Sequence, residues 1–416
     1  MKQTSVLILI LAFAANVSSV RARPFAIAVV DAQTGRGVPL VELETVNNIR
    51  YVTDSNGIVA FDEPGLFGQK VFVHVRSHGY EFPKDGFGFR GKALEVTDGG
   101  TARLEIRRVN VAERLYRVTG AGVYRDSVLT GNAVPVREPL LNGQVFGSDS
   151  VVNVLYRGKI HWFWGDTNRP AYPLGNFQVT GAWSLPPGQG GLDPEAGVDL
   201  TYFVDPNGFA RGMAPLPGEG PTWIFGLAVL RADGAERMFA HYVKVRGFLD
   251  VYEHGMARYD DAQERFTKLV EFPIDSAVRP GGQTFLHRDR GRDYVYYCQP
   301  YPLLRVLASP EAIADIAQFE AFTCLAEGSR LADGKVERDG DGRPVYAWKR
   351  RTPVVGPGEQ ASLIKKGILK PTEALLSLRD VVTGKVVQAH TGSVCWNEYR
   401  GRWVLIAVET GGTSRL

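Results

Sequence analysis

Cysteine and methionine are scarce in this chain of 416 residues, with three and four copies. Cys298, Cys324 and Cys395 stand in no CxxC or zinc-type spacing, which argues against zinc ribbons and dithiol redox centres. An oxidising compartment permits one disulfide, with Cys298 and Cys324 the nearest pair in sequence; three buried thiols is the other reading. Charge of one sign is also lacking. Lys and Arg number 48 against 45 Asp and Glu, with no basic block, so nucleic acid is not expected as a partner. There is no H-E-x-x-H, no G-x-S-x-G, no P-loop and no dinucleotide-binding glycine run in a βα setting, which removes several enzyme classes. Long apolar runs are missing too, apart from Val6–Ala15. That run is too short to cross a bilayer of about 30 Å as a helix.

The N-terminus reads as a secretory signal peptide. Lys2 supplies the positive end, Val6–Ala15 the apolar segment, and Val20-Arg21-Ala22 a small-x-small cleavage site. Residues 1–22 are expected to be removed, leaving a soluble secreted or periplasmic protein; an uncleaved anchor is the alternative.

What the chain has in quantity is glycine, 47 residues, and aromatics, 11%. Short aromatic strands between glycine turns make an all-β composition. From residue 24 to 109 apolar and polar residues alternate in short runs: Phe25–Val30, Val38–Glu44, Tyr51–Phe61, Val71–Val75 and Ala102–Arg107. Asp54-Ser55-Asn56-Gly57 is a tight-turn signal, because Asn and Gly accept positive φ. These residues predict a small β-sandwich. Residues 110–134 read as a connector.

From 135 to 416 one design recurs at irregular intervals: an apolar strand, a charged Gly or Asp turn, then an aromatic strand. Val151–Trp164, Leu227–Tyr242, Met256–Phe266, Gln283–Tyr297 and Val394–Val408 all follow it. Recurrent hairpins predict propeller blades, with a long Greek-key sandwich or a β-helix as competitors. Ser309-Pro310-Glu311-Ala312 predicts a helix start with a serine cap and proline in the first turn, and Pro371-Thr372-Glu373 another. The last strand, Trp403–Glu409, is followed only by Gly411-Gly412-Thr413-Ser414-Arg415-Leu416, so the propeller is expected to be C-terminally incomplete.

Two resemblances are carried by these motifs. The series TGRGVP, TDSNGIVAF and VFVHVRSHGY resembles the carboxypeptidase regulatory-like, or transthyretin-like, sandwich, usually an accessory module. Phe146-Gly147-Ser148-Asp149 and Trp162-Phe163-Trp164-Gly165-Asp166-Thr167 resemble the first blade of the five-bladed propeller glycoside hydrolases, the superfamily of arabinanases and invertases. Glu253-His254-Gly255 and His390-Thr391-Gly392 fit the same architecture more loosely.

That second resemblance implies a pocket at one end of the propeller axis with carboxylates delivered by successive blades. Glycosidic cleavage needs one carboxylic acid to protonate the leaving oxygen and one carboxylate to activate water or attack. Carried over residue by residue, it implies Asp149 as base or nucleophile, Asp166 as a substrate-orienting or turn-capping carboxylate, and Glu253 as general acid, with Glu409 the alternative acid. His254, His287 and His390 are candidates to bind sugar hydroxyls, to act as acid or base, or to hold a central cation, and Arg305 to pair with an acidic sugar. Trp164, Trp183, Tyr202 and Trp223 are candidates to stack on sugar rings, although most belong in a core. No cofactor is expected beyond a structural cation in the channel; the expected partner is a polysaccharide or oligosaccharide. Two other readings stay open. One is a polysaccharide lyase working through His287, Tyr301 and Arg305. The other is a non-catalytic carbohydrate-binding or scaffold protein.

Overall fold

The computed structural model describes residues 23–411, and the signal-peptide reading lies outside them. The chain forms two compact units. One runs to Arg114 and takes in Asp126–Asn132; the other comprises Leu115–Arg125 and everything from Ala133 onward. The stretch 110–134 is thus divided between them.

The first unit is a sandwich of two four-stranded sheets. Its strands are β1 (Phe25–Asp31), β2 (Glu42–Thr45), β3 (Arg50–Val52), β4 (Ile58–Phe61), β5 (Lys70–Arg76), β6 (Tyr80–Glu81), β7 (Gly91–Glu95) and β8 (Thr101–Arg108). The sheets run β4-β1-β8-β6 and β3-β2-β5-β7, with β1 and β8 parallel. Alternation explains the core: Phe25, Ile27 and Val29 of β1 point inward with Leu104 and Ile106 of β8, and meet Leu43, Val73, Val75 and Leu94 of the other sheet. The strand read as Val38–Glu44 begins only at Glu42, because Pro39 and a left-handed Leu40 (φ 58°) break the extended backbone ahead of it.

The turn at Asp54–Gly57 is built as its sequence demands. Asp54 Oδ1 accepts the amides of Asn56 (3.0 Å) and Ile58 (3.1 Å), and Gly57 sits at φ 73°. A Cβ there would lie 2.5 Å from the Val29 carbonyl oxygen. The other carboxyl oxygen of Asp54 accepts the Ser127 amide at 2.7 Å, which ties the short helix α1 (Arg125–Leu129) to the turn.

The second unit is a series of antiparallel sheets. The first contains β10 (Val152–Tyr156), β11 (Lys159–Trp164), β14 (Thr180–Ser184) and β15 (Thr201–Tyr202). A three-stranded sheet of β9 (Gly147–Ser148), β12 (Thr167–Arg169) and β13 (Tyr172–Asn176) is inserted into it. The second main sheet is a meander of β16 (Thr222–Ala232), β17 (Ala235–Arg246), β18 (Asp250–Asp260) and β19 (Arg265–Phe272). The third runs β20 (Gln283–Asp289), β21 (Arg292–Cys298), β22 (Leu304–Leu307), β23 (Glu320–Thr323) and β24 (Ala347–Arg350). After a small ribbon of β25 (Leu378–Arg379) and β26 (Val386–Val387) comes the hairpin β27 (Ala389–Asn397) with β28 (Arg402–Glu409).

The strand that opens each main sheet packs beside the one that opens the next: β10 on β16, β16 on β20, β20 on β27. Sheets meeting through their first strands are propeller blades, and the five hairpins read from the sequence are all present. Apolar faces fill the wedges between blades. Phe163 and Met213 meet Ala240, Tyr242 and Phe266 in one, and Phe239 and Met256 meet Val295, Val306 and Ile313 in another.

Helices are few. Ser309 caps α2 (Pro310–Ile313), its hydroxyl accepting the Ala312 amide at 3.2 Å; Pro371–Glu373 forms only a 3₁₀ turn. The longest helix among the described residues, α3 (Pro357–Lys365), was not read from the sequence, although Gly356-Pro357 and Glu359 are start signals. No helix among the described residues is long and apolar enough to cross a membrane. Cys298 and Cys324 are buried free thiols, and Cys395 is exposed.

Candidate functional site

Asp149 lies between β9 and β10, and Asp166 between β11 and β12. Both therefore stand where the first blade meets its inserted sheet. Two backbone bonds join them. The Asp149 amide donates to the Asp166 carbonyl (2.8 Å), and the Gly165 amide donates to the Asp149 carbonyl (2.8 Å). Ser150, next to Asp149, is left-handed (φ 52°), and its hydroxyl donates to Asp149 Oδ1 at 3.2 Å. A non-glycine residue held there costs roughly 1–3 kcal/mol, so its surroundings must impose it. Beneath the pair, the buried Thr167 hydroxyl bonds Thr180 (2.8 Å) and the Gly165 carbonyl (3.2 Å).

The next two blades bring their first strands to the same end. Trp223, near the start of β16, donates its indole N–H to the Phe177 carbonyl (3.1 Å). Gln283, at the start of β20, donates its side-chain amide to the Val151 carbonyl (3.3 Å). The sequence reading missed Gln283; the glycine pair before it, Gly281-Gly282, was the available signal.

The two carboxylates differ in environment. Burial raises the pKa of Asp166, the nearby Trp223 indole opposes this, and the charge of Asp149 raises it further. Asp166 Oδ1 is buried without a hydrogen-bond partner among the described residues. A carboxyl oxygen with no donor aimed at it is suited to carrying a proton.

The remaining candidates lie elsewhere in the second unit. Glu253 is on β18, the third strand of its blade, where it accepts from the Tyr242 hydroxyl (2.8 Å) and pairs with Lys268 (2.7 Å). Burial pushes its pKa up, but Lys268 and Tyr242 outweigh that and hold it below the usual range. It is therefore placed as an ionised structural carboxylate. His254, its neighbour, is fully buried; its Nδ1 lies 3.1 Å from His241 Nε2, and its Nε2 donates to the Pro273 carbonyl (2.9 Å). Arg305 is also buried. It bonds Asp289 (2.7 Å) and Glu320 (2.9 Å), and lies between the rings of Tyr294 and Trp348, each 4.1 Å away.

His287 is exposed on β20, edge-on to Trp403, in a cleft of about 700 Å³ with Leu155, Glu236, Arg288 and Asp293. His390 and Glu409 are exposed on β27 and β28. The structure thus brings Asp149 and Asp166 together and distributes the other six. Among the described residues no group of three or more His, Cys, Asp or Glu is arranged to hold a metal ion.

No protein-family model matches the chain, and no curated protein resembles it. Among solved structures it is similar to a "putative hydrolase" from Bacteroides ovatus, at 12% identity and a TM-score of 0.34. That match covers 64% of this chain and 64% of the other, so it spans less than two thirds of that relative's length. It is also similar to the GH43_1 enzyme of Xanthomonas citri, solved with xylotriose, at 12% identity, a TM-score of 0.25 and coverage of 88% and 81%. A third likeness is to the TIE protein of Bacillus anthracis, at 12% identity, a TM-score of 0.17 and coverage of 63% and 49%. These likenesses are loose, and the chemistry is read from this chain's own geometry.

Proposed function

We propose that the protein is a glycan-cleaving hydrolase with Asp166 as general acid and Asp149 as base or nucleophile. The observation that supports this is the juxtaposition of two carboxylates whose environments differ, one pushed toward its protonated form beside one bonded by a hydroxyl. Glycosidic cleavage requires such a division of labour. Protonated Asp166 gives its proton to the leaving oxygen. The Asp149 carboxyl takes a proton from water or attacks the anomeric carbon. The aromatic face of Trp223 beside them suits the apolar face of a sugar ring. The N-terminal signal-like segment supports a site of action outside the cytoplasm, where polysaccharides are met.

Glu253 is not assigned the acid role here, because its lysine and tyrosine partners favour the charged form. A lyase working through Arg305 has less support, since that guanidinium is already paired with two carboxylates.

The test is hydrolysis of an oligosaccharide panel by the wild type and by Asp149→Asn and Asp166→Asn. Each variant should lose about 10²–10⁴-fold in kcat. Asp166→Asn should keep most of its rate on aryl glycosides whose leaving group needs no proton. Full activity of either variant on unactivated oligosaccharides would falsify the assignment.

A further inference from the structure

We propose that Gln283 is a positioning residue for Asp149: its side-chain amide braces the Val151 carbonyl and so holds the left-handed Ser150, whose hydroxyl is aimed at the Asp149 carboxyl. The catalytic meaning of this brace rests on the hydrolase reading; the brace itself is a matter of geometry. Gln283 opens β20 in the third main blade, and Val151 stands just before β10 in the first. The second blade lies between them, with β16 packed on both β10 and β20. The bond from Gln283 Nε2 to the Val151 carbonyl oxygen (3.3 Å) therefore links two blades that are not neighbours in the series. The backbone ahead of Gln283 is built to place it. Gly282 is left-handed (φ 71°), a Cβ there would lie 1.7 Å from the Cys298 carbonyl oxygen, and its own carbonyl accepts the Gly226 amide of the second blade at 3.0 Å.

The braced segment is short. At one end the backbone of Asp149 is fixed, its amide on the Asp166 carbonyl and its carbonyl under the Gly165 amide, both at 2.8 Å. At the other end Val152 is fixed by pairing with Phe163. Between these anchors, Ser150 and Val151 lie outside the β10 ladder. Ser150 takes φ 52°, where a residue with a Cβ rests only if its surroundings impose it. The Val151 carbonyl is one residue further on, so the Gln283 bond acts on the torsions that keep Ser150 there. In that conformation the Ser150 hydroxyl donates to Asp149 Oδ1 at 3.2 Å and sets the rotation of the carboxyl.

Gln283→Leu keeps the size of the side chain and removes the donor. Gln283 is half-buried, so the melting temperature should stay close to wild type. On oligosaccharides kcat should fall about 10- to 100-fold while KM changes by less than about threefold, because a misdirected carboxyl weakens the chemical step and not binding. Ser150→Ala should lose a similar factor, and the double variant no more than the worse single one, because both changes remove the same hydroxyl bond. Gln283→Ala repeats the series if the leucine variant does not fold. Independently of activity, the backbone carbon NMR shifts of Ser150 should leave the left-handed range in Gln283→Leu. Unchanged Ser150 shifts, wild-type kcat in Gln283→Leu, or additive losses in the double variant overturn the proposal. A raised KM at unchanged kcat overturns it too, and makes Gln283 a substrate contact. If the Ser150 shifts move while Asp149→Asn hydrolyses glycans at full rate, the brace stands and the hydrolase reading falls.

Discussion

The amide of Asp149 donates to the carbonyl oxygen of Asp166 at 2.8 Å, so the two carboxyl side chains leave backbones that are bonded to each other. The charge of one is therefore part of the environment of the other, and it raises the pKa of Asp166. Asp149→Asn removes that charge and leaves the shape almost unchanged. Asp166 should then titrate at lower pH, read by carboxyl carbon NMR. An unchanged titration would mean that burial alone accounts for the shift.

A second pair governs acid stability. His241 and His254 are both buried, and burial lowers the pKa of both, His241 to about 3. His254 Nε2 donates to the Pro273 carbonyl, so its Nδ1 accepts from His241 Nε2, and His241 Nδ1 is left without a partner. In the unfolded chain both rings protonate near 6.5. Between that pH and the folded values the unfolded state binds more protons, so stability falls as pH drops below about 6.5. The slope is about 1.4 kcal/mol per pH unit for each proton. Urea midpoints across pH 4–8 should show it, and replacing both histidines by Phe should flatten it. An equally steep slope in the double variant would assign the effect to other groups.

Arg305 is a stability residue on this geometry. Arg305→Ala strands Asp289 and Glu320 beside a vacated slot between Tyr294 and Trp348. Removing the guanidinium takes the counter-charge from both acids and the filling from between the two rings, so Arg305→Ala should lower the melting temperature. Arg305→Lys keeps the charge but loses the planar fork and the stacking, and should cost less than Arg305→Ala. Thermal unfolding should show both losses while KM of the soluble fraction stays constant. A raised KM at unchanged melting temperature would instead return Arg305 to the substrate.

Much of this molecule follows from local pattern. Alternation in Phe25–Asp31 selects the inward face of a sandwich strand, and Asp54-Ser55-Asn56-Gly57 specifies a turn whose carboxylate caps its own amides. The hairpins from Val152 to Trp164 and from Ala389 to Glu409 are written in the same way. Asp149 and Asp166 were legible together because they flank one hairpin and its turn.

Glu253, His254 and Arg305 were not legible, for one physical reason. A period of two tells which face of a strand is buried, but not which place the strand takes in its sheet. Glu253 reads as preceding a strand, as Asp149 does, yet it lies within a strand that is third in its blade, so it meets Tyr242 and Lys268. His254 meets a second histidine across the β17–β18 pairing, and Arg305 meets two acids and two rings. Strand pairing over long sequence separation chose those partners, which a local pattern of alternation does not encode.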